Sequence, residues 1–467
     1  MGDSIVTAVA WRGKSWEIIL IPTQANESYV EYTRERAEFV NKVMRTKMLS
    51  LKLFVPALIV IFSVSGVVAF VGAAPSLEWD IQTVDSEGFV GSYSSMALDS
   101  SGNPHISYRD NTNKALKYAR WNGNTWEIQT VDGDWGGSGG ASMALDSSGN
   151  PHISYYDAAD LALKYARWTG SSWDIQTVDS EWHGGGVYAM GEGVSMALDS
   201  SGNPHISYCA RTFGTGDLKY ARWTGSSWDI QTVDSEGVVG SYSSIALDSS
   251  DNPHISYLDN TNVALKYARW NGNSWEIQTV DTEGNVSGYS SMVLDSSGNP
   301  HISYRTYIRS VLVDLITGKP SWEEGNLKYT RWTGSSWAIQ TVDSEEYVDL
   351  GLYMSMALDS SGNPHMSYYD DTNNCLKYAQ WTGSSWEIQT VEGGGGSYSS
   401  LVLDSSGNPH ISCCLGGGLR YVTVKTAQPE VPTNNQEFEV PWTWIGVGTA
   451  VIIVIVVAVL VLKRKGK

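Results

Sequence analysis

The chain has 467 residues, with 50 Asp plus Glu against 31 Lys plus Arg, and a formal net charge of −19 at pH 7. That balance excludes a nucleic-acid binder, which needs a basic footprint. Charged residues make up only 17% while Gly (47), Trp (20) and Tyr (25) are abundant, which excludes a disordered acidic chain and points to a turn-rich β protein.

Residues 1–43 precede a conventional start at Met44 or Met48. They are read either as untranslated or as a decayed repeat fragment, because WRGKSWEI (Trp11 to Ile18) echoes a unit that recurs below. Residues 44–74 read as a signal peptide or a signal anchor. Lys42, Arg45, Lys47 and Lys52 precede 22 uncharged residues from Leu53 to Ala74, long enough for a helix to cross a hydrocarbon core of about 30 Å. The small residues Val71-Gly72-Ala73-Ala74 suit cleavage, and no Lys or Arg follows until Arg109. The positive-inside rule therefore places the following residues outside.

From residue 78 to 425 the sequence repeats itself, and self-similarity at this period decides the fold. W-x-I-Q-T-V begins at Trp79, Trp126, Trp173, Trp228, Trp275, Trp337 and Trp386, at spacings of 47, 47, 55, 47, 62 and 49 residues. L-D-S-S-G-N-P-H or a close variant begins at Leu98, Leu145, Leu198, Leu247, Leu294, Leu358 and Leu403. Each repeat divides into four short alternating segments, here A to D (SMALD, PHISY, ALKYARW and TWEIQTVD in the first copy), separated by Gly, Ser, Asn and Asp clusters. The glycine of the A-to-B turn becomes Asp251 in the fourth copy, so that position is expected to take a positive φ.

Four antiparallel strands about every 50 residues predict an all-β fold, a seven-bladed β-propeller of four-stranded blades flanked by N- and C-terminal hydrophobic helices. The array opens on a lone D segment at Trp79 and ends on A, B and C segments near Val424, so the first strand is expected to complete the last blade. A linear solenoid would leave both ends as unpaired edges. The L-D-S-S-G-N-P-H-I-S-Y unit resembles the Asp-box-related blade repeats of sialidase-like and lectin-like propellers, of the kind found in prokaryotic cell-surface proteins. The match to a strict Asp-box is imperfect, since no aromatic follows the glycine at the expected place. The resemblance implies fold far more than activity.

Seven of the eight histidines, from His105 to His410, occupy one repeat position. Equivalent positions in different blades do not converge on one ion, so they read as hydrogen-bonded structural groups rather than metal ligands. Asp99 and its equivalents read as turn-capping carboxylates. Thirteen tryptophans are also repeat positions, read first as blade packing and second as one sugar-stacking site per blade.

Function on a repeat scaffold is sought where the copies differ, here on the face of the B-to-C and D-to-A connections. The connection into blade three carries Trp182, His183 and Tyr188, with Glu181 and Glu192. The B-to-C connection of blade five, Arg305 to Asn326, carries Arg309, Asp314, Trp322, Glu323 and Glu324. The connection into blade six adds Glu345, Glu346, Tyr347, Asp349 and Tyr353. Trp182, His183, Tyr188, Arg211, Arg305, Trp322, Glu345 and Tyr347 are the ligand-binding candidates, since acidic and aromatic side chains together suit sugars by stacking and by hydrogen bonds to hydroxyls.

Sialidases hold a substrate carboxylate with an arginine cluster. Arg109, Arg211 and Arg305 lie in or beside B-to-C connections, but the Arg-Ile-Pro motif of that family is absent and no Tyr and Glu pair is assignable. No catalytic set, metal site or cofactor is assigned, and a binding role is favoured over an enzymatic one. Cys375 and the pair Cys413 and Cys414 fall on neighbouring blades, as a disulfide or as buried thiols. Asn285 heads an Asn-Val-Ser sequon on a D-to-A connection.

Residues 426–440 are a polar linker. Residues 441–462 form a second uncharged run that opens with Trp442 and Trp444 and meets the basic tail 463–467, as a transmembrane helix with its basic end inside. The reading is a single-pass cell-membrane protein, two-pass if the first apolar segment is retained, with an extracellular propeller. Its partners are a cell-surface glycan or protein and the membrane, and not nucleic acid. The rival readings are a sialidase-like hydrolase or lyase and a purely structural envelope protein.

Overall fold

The computed structural model describes residues 5–12, 15–22, 77–136, 140–180, 193–212, 215–309, 323–345 and 348–425. Met1–Ser76 and Leu77–Lys467 are separate compact units. In the first, Ile5–Arg12 and Ser15–Pro22 form an antiparallel hairpin with Trp11 opposite Trp16. Blades one to six pair their C and D strands in the same way, as with Trp121 opposite Trp126, while in blade seven Trp79 faces Val424. The echo seen in WRGKSWEI is thus an echo of structure as well. Both long apolar segments, the linker and the tail lie outside the described residues, among which no helix is long and apolar enough to cross a membrane.

The second unit contains seven four-stranded antiparallel sheets, each in the order A-B-C-D. The A strands are Val90–Leu98, Ala141–Leu145, Ser195–Leu198, Val239–Leu247, Val286–Leu294, Leu350–Leu358 and Gly395–Leu403. The B strands are Pro104–Asp110, Pro151–Asp157, Pro204–Thr212, Pro253–Asp259, Pro300–Arg309, Pro364–Asp370 and Pro409–Leu415. The C strands are Ala115–Trp121, Ala162–Trp168, Thr215–Trp223, Ala264–Trp270, Glu323–Trp332, Cys375–Trp381 and Gly418–Val424. The D strands of blades one to six are Trp126–Asp132, Trp173–Asp179, Trp228–Asp234, Trp275–Asp281, Trp337–Asp343 and Trp386–Gly393, and blade seven takes Trp79–Asp85. That last strand pairs with Gly418–Val424, so the N-terminal strand closes the ring as the repeat arithmetic requires. The A strands contact one another around the axis and the D strands form the rim. The chain is a seven-bladed β-propeller.

The core is divided into seven clusters, one between each pair of neighbouring blades. A blade is therefore apolar on both faces, which explains the near-continuous burial of B strands such as Pro151–Asp157. Polar latches tie the blades together. At six interfaces the closing Asp of one D strand accepts from the B-strand Tyr of the next blade at 2.6–2.7 Å, as Asp85 does from Tyr108 and Asp234 from Tyr257. A C-strand Lys reaches the same carboxylate. Between blades six and seven the Tyr position is Cys413 and the Asp position Glu392, and burial pushes the Cys413 thiol up to about 12. All four cysteines are free and buried, so the thiol alternative holds rather than the disulfide.

The repeated histidines are structural. In six blades the His Nδ1 and the C-strand Tyr hydroxyl share a hydrogen bond of 2.5–2.7 Å, and His365 and Tyr378 do the same in blade six. Each Nε2 lies 3.6–3.7 Å from the A-to-B turn carboxylate, from Asp99 to Asp404. That carboxylate caps its turn, Asp99 accepting from the Ser101 and Asn103 N–H groups at 2.8 and 2.9 Å. Asp251 sits at φ 61°, where the other blades have glycine, as expected from the substitution pattern. The repeated tryptophans pack edge-on within the C–D hairpins of blades one to six, 5.5 Å apart for Trp121 and Trp126, and against a neighbouring blade's tyrosine, as Trp173 does on Tyr118 at 5.4 Å.

Candidate functional site at the propeller axis

Each A strand carries a serine whose Oγ accepts from a backbone N–H of the next blade's A strand. The seven bonds, Met143 to Ser95, Met196 to Ser142, Ile245 to Ser195, Met292 to Ser244, Met356 to Ser291, Leu401 to Ser355 and Met96 to Ser400, run 3.0–3.1 Å and form a closed ring around the axis. A rigid polar collar of this kind fixes the residue two places before it. In five blades that residue is a tyrosine: Tyr93, Tyr242, Tyr289, Tyr353 and Tyr398.

These tyrosines sit on β-bulges. Ser92 opposes Arg109 and Ser95 opposes Ser107, so one extra residue is inserted around Tyr93, and the pairing shifts likewise before Tyr242, Tyr353 and Tyr398. Those four have φ of 50–56°, a region that a bulky L-residue rarely enters. Backbone held there costs about 1–3 kcal/mol and persists where the surroundings enforce it, often at binding sites.

The rings form an arc. Centroids of Tyr242 and Tyr289 are 4.8 Å apart, Tyr289 and Tyr353 4.6 Å, Tyr353 and Tyr398 4.0 Å, and Tyr398 and Tyr93 4.5 Å. The Tyr398 hydroxyl hydrogen-bonds to those of Tyr353 and Tyr93, and burial first, then Tyr353, push its ionisation well above the usual phenol range. Blades two and three interrupt the arc with Gly140-Ala141 and Gly193-Val194. Together these residues line an axial cavity of about 200 Å³.

Arg109 is the penultimate residue of the blade-one B strand, Pro104–Asp110, on the side of the B-to-C connections. Its guanidinium lies 5.9 Å over the buried Trp135 ring, and its Nε is buried without a hydrogen-bond partner. Trp135 donates to the Tyr156 carbonyl. Burial lowers the Arg109 ionisation, while Tyr93 and Tyr398 oppose that shift.

The interruption has a second consequence. In blades one, four, five and seven the residue after the tyrosine is a serine that donates to a carbonyl of the preceding A strand and bonds the preceding B-strand serine, as Ser94 does with Tyr398 O at 2.7 Å and Ser412 at 2.9 Å. Ser243, Ser290 and Ser399 repeat the pattern. Ala141 and Val194 cannot, and Ser107 and Ser154 are left with buried, unpaired hydroxyls. Ala141→Ser is expected to stabilise the fold by about 1 kcal/mol. A raised denaturation midpoint at constant m-value would show it; an unchanged midpoint would mean that a water already satisfies Ser107.

Three of the eight candidates read from the sequence lie among the described residues. Trp182, His183, Tyr188, Trp322 and Tyr347 lie outside the described residues. Arg211 is near the end of the blade-three B strand. Arg305 is 5% exposed and engaged, its Nε to Asp349 and the Leu350 carbonyl at 3.1 and 3.2 Å and its Nη1 to Ser287 at 3.0 Å. Glu345 is exposed, 3.4 Å from Lys377. Asn285 of the sequon is exposed at φ 50°. The structure brings Tyr353 to the axis, not to a loop. The other arc tyrosines escaped the sequence reading, although GSYSS at residues 91–95, 240–244 and 396–400 was a visible signal.

Grooves also run between blades on the face of the A-to-B and C-to-D turns. Those between blades two and three, three and four, and four and five have volumes of about 520, 470 and 580 Å³. The first is flanked by Trp168 and Trp223 and holds Arg167, Gln176 and Asn203.

No protein-family model and no curated protein matches the sequence. Among solved structures the chain is similar to an Aleuria aurantia lectin mutant in complex with Fucα1-6GlcNAc (15% identity, 66% of this chain and 97% of that one, TM-score 0.43). It is also similar to a polysaccharide lyase, an ulvan lyase (15%, 73% and 96%, TM-score 0.49), and to an inactive virginiamycin B lyase from Staphylococcus aureus (12%, 74% and 100%, TM-score 0.46). The blade count rests on the strand pairing of the chain itself and not on these likenesses.

Proposed function

We propose that this chain is a carbohydrate-binding propeller, held outside the cell by its C-terminal apolar segment, whose primary site is the axial cavity below the variable-loop face. The observation that carries the reading is the tyrosine arc. Five rings on strained or bulged backbone present apolar faces and hydroxyl donors to one small cavity, and sugars are recognised by that pairing of stacking and hydrogen bonding. The extracellular placement is supported by the two apolar runs and the positions of their basic flanks.

The full chain in mild detergent is tested on a glycan array and by calorimetry on the hits. Tyr353→Ala and Tyr398→Ala are each expected to weaken binding about tenfold, the loss of one stacked ring being about 1–1.5 kcal/mol. Trp223→Ala, in the grooves of the opposite face, is expected to leave affinity within about twofold. The reverse pattern would move the site to the grooves. Absence of any glycan binding would overturn the carbohydrate reading, and turnover of a bound polysaccharide would convert it to an enzymatic one.

A further inference from the structure

The two faces of the propeller differ in how they join the strands. On one face, seven A-to-B turns are closed by the same bond, from the Asp99 N–H to the Asn103 carbonyl in blade one, at 2.9–3.0 Å throughout. Six C-to-D turns share another, from the Asn122 N–H to the Thr125 carbonyl in blade one, at 2.9–3.1 Å. All thirteen lie among the described residues, and none carries an insertion. The insertions before blades three and six and within blade five stand on the opposite face. The turn face is therefore even, and the variable face is not.

Blade seven has no C-to-D turn. Both ends of the ring take its place: Trp79 pairs with Val424, and the Lys425 N–H donates to the Glu78 carbonyl at 2.8 Å, the bond that Asn122 and Thr125 make within a turn. The side chains of Lys425 and Glu78 are exposed and 3.4 Å apart. The chain thus enters and leaves the propeller at one point on the turn face. From there the 15 residues 426–440 lead to the apolar run 441–462, and only Pro75 and Ser76 separate the first apolar run from Leu77. A flexible chain of 15 residues spans on average about 20 Å. A seven-residue D strand such as Trp228–Asp234 sets a face-to-face depth of about 23 Å. Turning the variable face to a bilayer would stretch the linker beyond its average span along the whole rim, whereas the turn face is reached with the linker relaxed.

We propose that the turn face lies against the surface of a lipid bilayer, so that the variable-loop face, with the axial cavity below it, is presented away from the membrane. The proposal rests on the membrane anchoring read above and adds which face the anchor holds down. Attraction to anionic lipid is not what holds it. Arginines at the ends of C strands are paired within their own hairpins, as Arg120 is with Glu127 at 2.7 Å and Arg269 with Glu276 at 2.8 Å. The half-buried indoles of Trp121, Trp168, Trp223, Trp270, Trp332 and Trp381 end their C strands at this face, and indoles favour the headgroup level of a bilayer.

The test uses the full chain reconstituted in phosphatidylcholine vesicles. The four native cysteines are buried, so one added surface cysteine takes a fluorophore alone. Ser226→Cys and Ser235→Cys flank a single D strand, Trp228–Asp234, one on each face, and both serines are exposed. Ser384→Cys on the turn face of blade six and Ser86→Cys on the variable face after blade seven's D strand repeat the comparison across the ring. Lipid carrying a nitroxide on its headgroup is expected to quench the probes at positions 226 and 384 at least about threefold more than those at 235 and 86. Equal quenching on both faces, or stronger quenching at 235 and 86, in chain that floats with the vesicles would overturn the orientation and leave the anchor standing. Failure of the chain to float with the vesicles would overturn the anchoring reading and this one with it.

Discussion

Lowering the pH from 7.5 to 5 is expected to destabilise the propeller steeply. Six of the seven repeated histidines are buried in the Asp–His–Tyr sets and His410 is half-buried, and burial lowers the ionisation of each, outweighing the nearby Asp. A histidine whose folded value is depressed stays neutral while its unfolded counterpart binds a proton near pH 6.5. The unfolded state then holds more protons, so stability is fully present above about pH 6.5 and falls as pH drops from there towards the folded values. Each histidine that is protonated unfolded and neutral folded contributes a slope of at most about 1.4 kcal/mol per pH unit, and the seven act in the same direction. The turn carboxylates reinforce the trend at lower pH. Asp99 and its equivalents are held below the usual range because hydrogen bonds from Asn103 and Ser101, or their counterparts, outweigh burial, and that contribution is lost as pH falls through those depressed values. Denaturant melts at half-unit pH steps measure the slope. His254→Gln is expected to lower it by about one seventh, and a midpoint constant between pH 7.5 and 5 would refute buried neutral histidines.

Asp234→Ala is expected to cost about 3–5 kcal/mol, the usual range for breaking a buried charge pair from one side. Its carboxylate accepts from the fully buried Tyr257 hydroxyl at 2.7 Å and from Lys266 at 2.6 Å, joining blades three and four. Burial opposes its charge, but Lys266, Tyr257 and the Glu236 N–H outweigh burial and hold it below the usual carboxylate range. Removing it strands the hydroxyl at the blade interface, with Lys266 left only Asp259, 3.8 Å away. The double variant Asp234→Ala/Tyr257→Phe is expected to recover part of the loss, because no hydroxyl is then stranded. Strict additivity of the two single costs in denaturant titrations would show that the latch is not a coupled unit.

Much of this was legible in the residues themselves. The spacing of W-x-I-Q-T-V and L-D-S-S-G-N-P-H determines seven blades and their closure, because each copy must bury both faces against a neighbour and only a ring gives the first and last copies one. The turn role of Asp99 and the positive φ at Asp251 were equally readable, since Gly, Asn and Asp share that tolerance. Periodicity in sequence marks what every blade needs. It is silent about what converges.

The axial site is a convergence. Tyr93 and Tyr242 are 149 residues apart in the chain, and their bulges swing both towards one axis only after the serine collar has closed. The repeat made these tyrosines look structural, and variation drew attention to the loops instead. Arg305, one of three non-repeat arginines beside B-to-C connections, is engaged by folding, its guanidinium meeting Asp349, Leu350 and Ser287. The sequence by itself determined the number of blades, the turns and the strand order within each blade. Tertiary closure decided which side chains share a cavity, because that depends on the direction a bulge gives a side chain across the ring and not on its spacing along the chain.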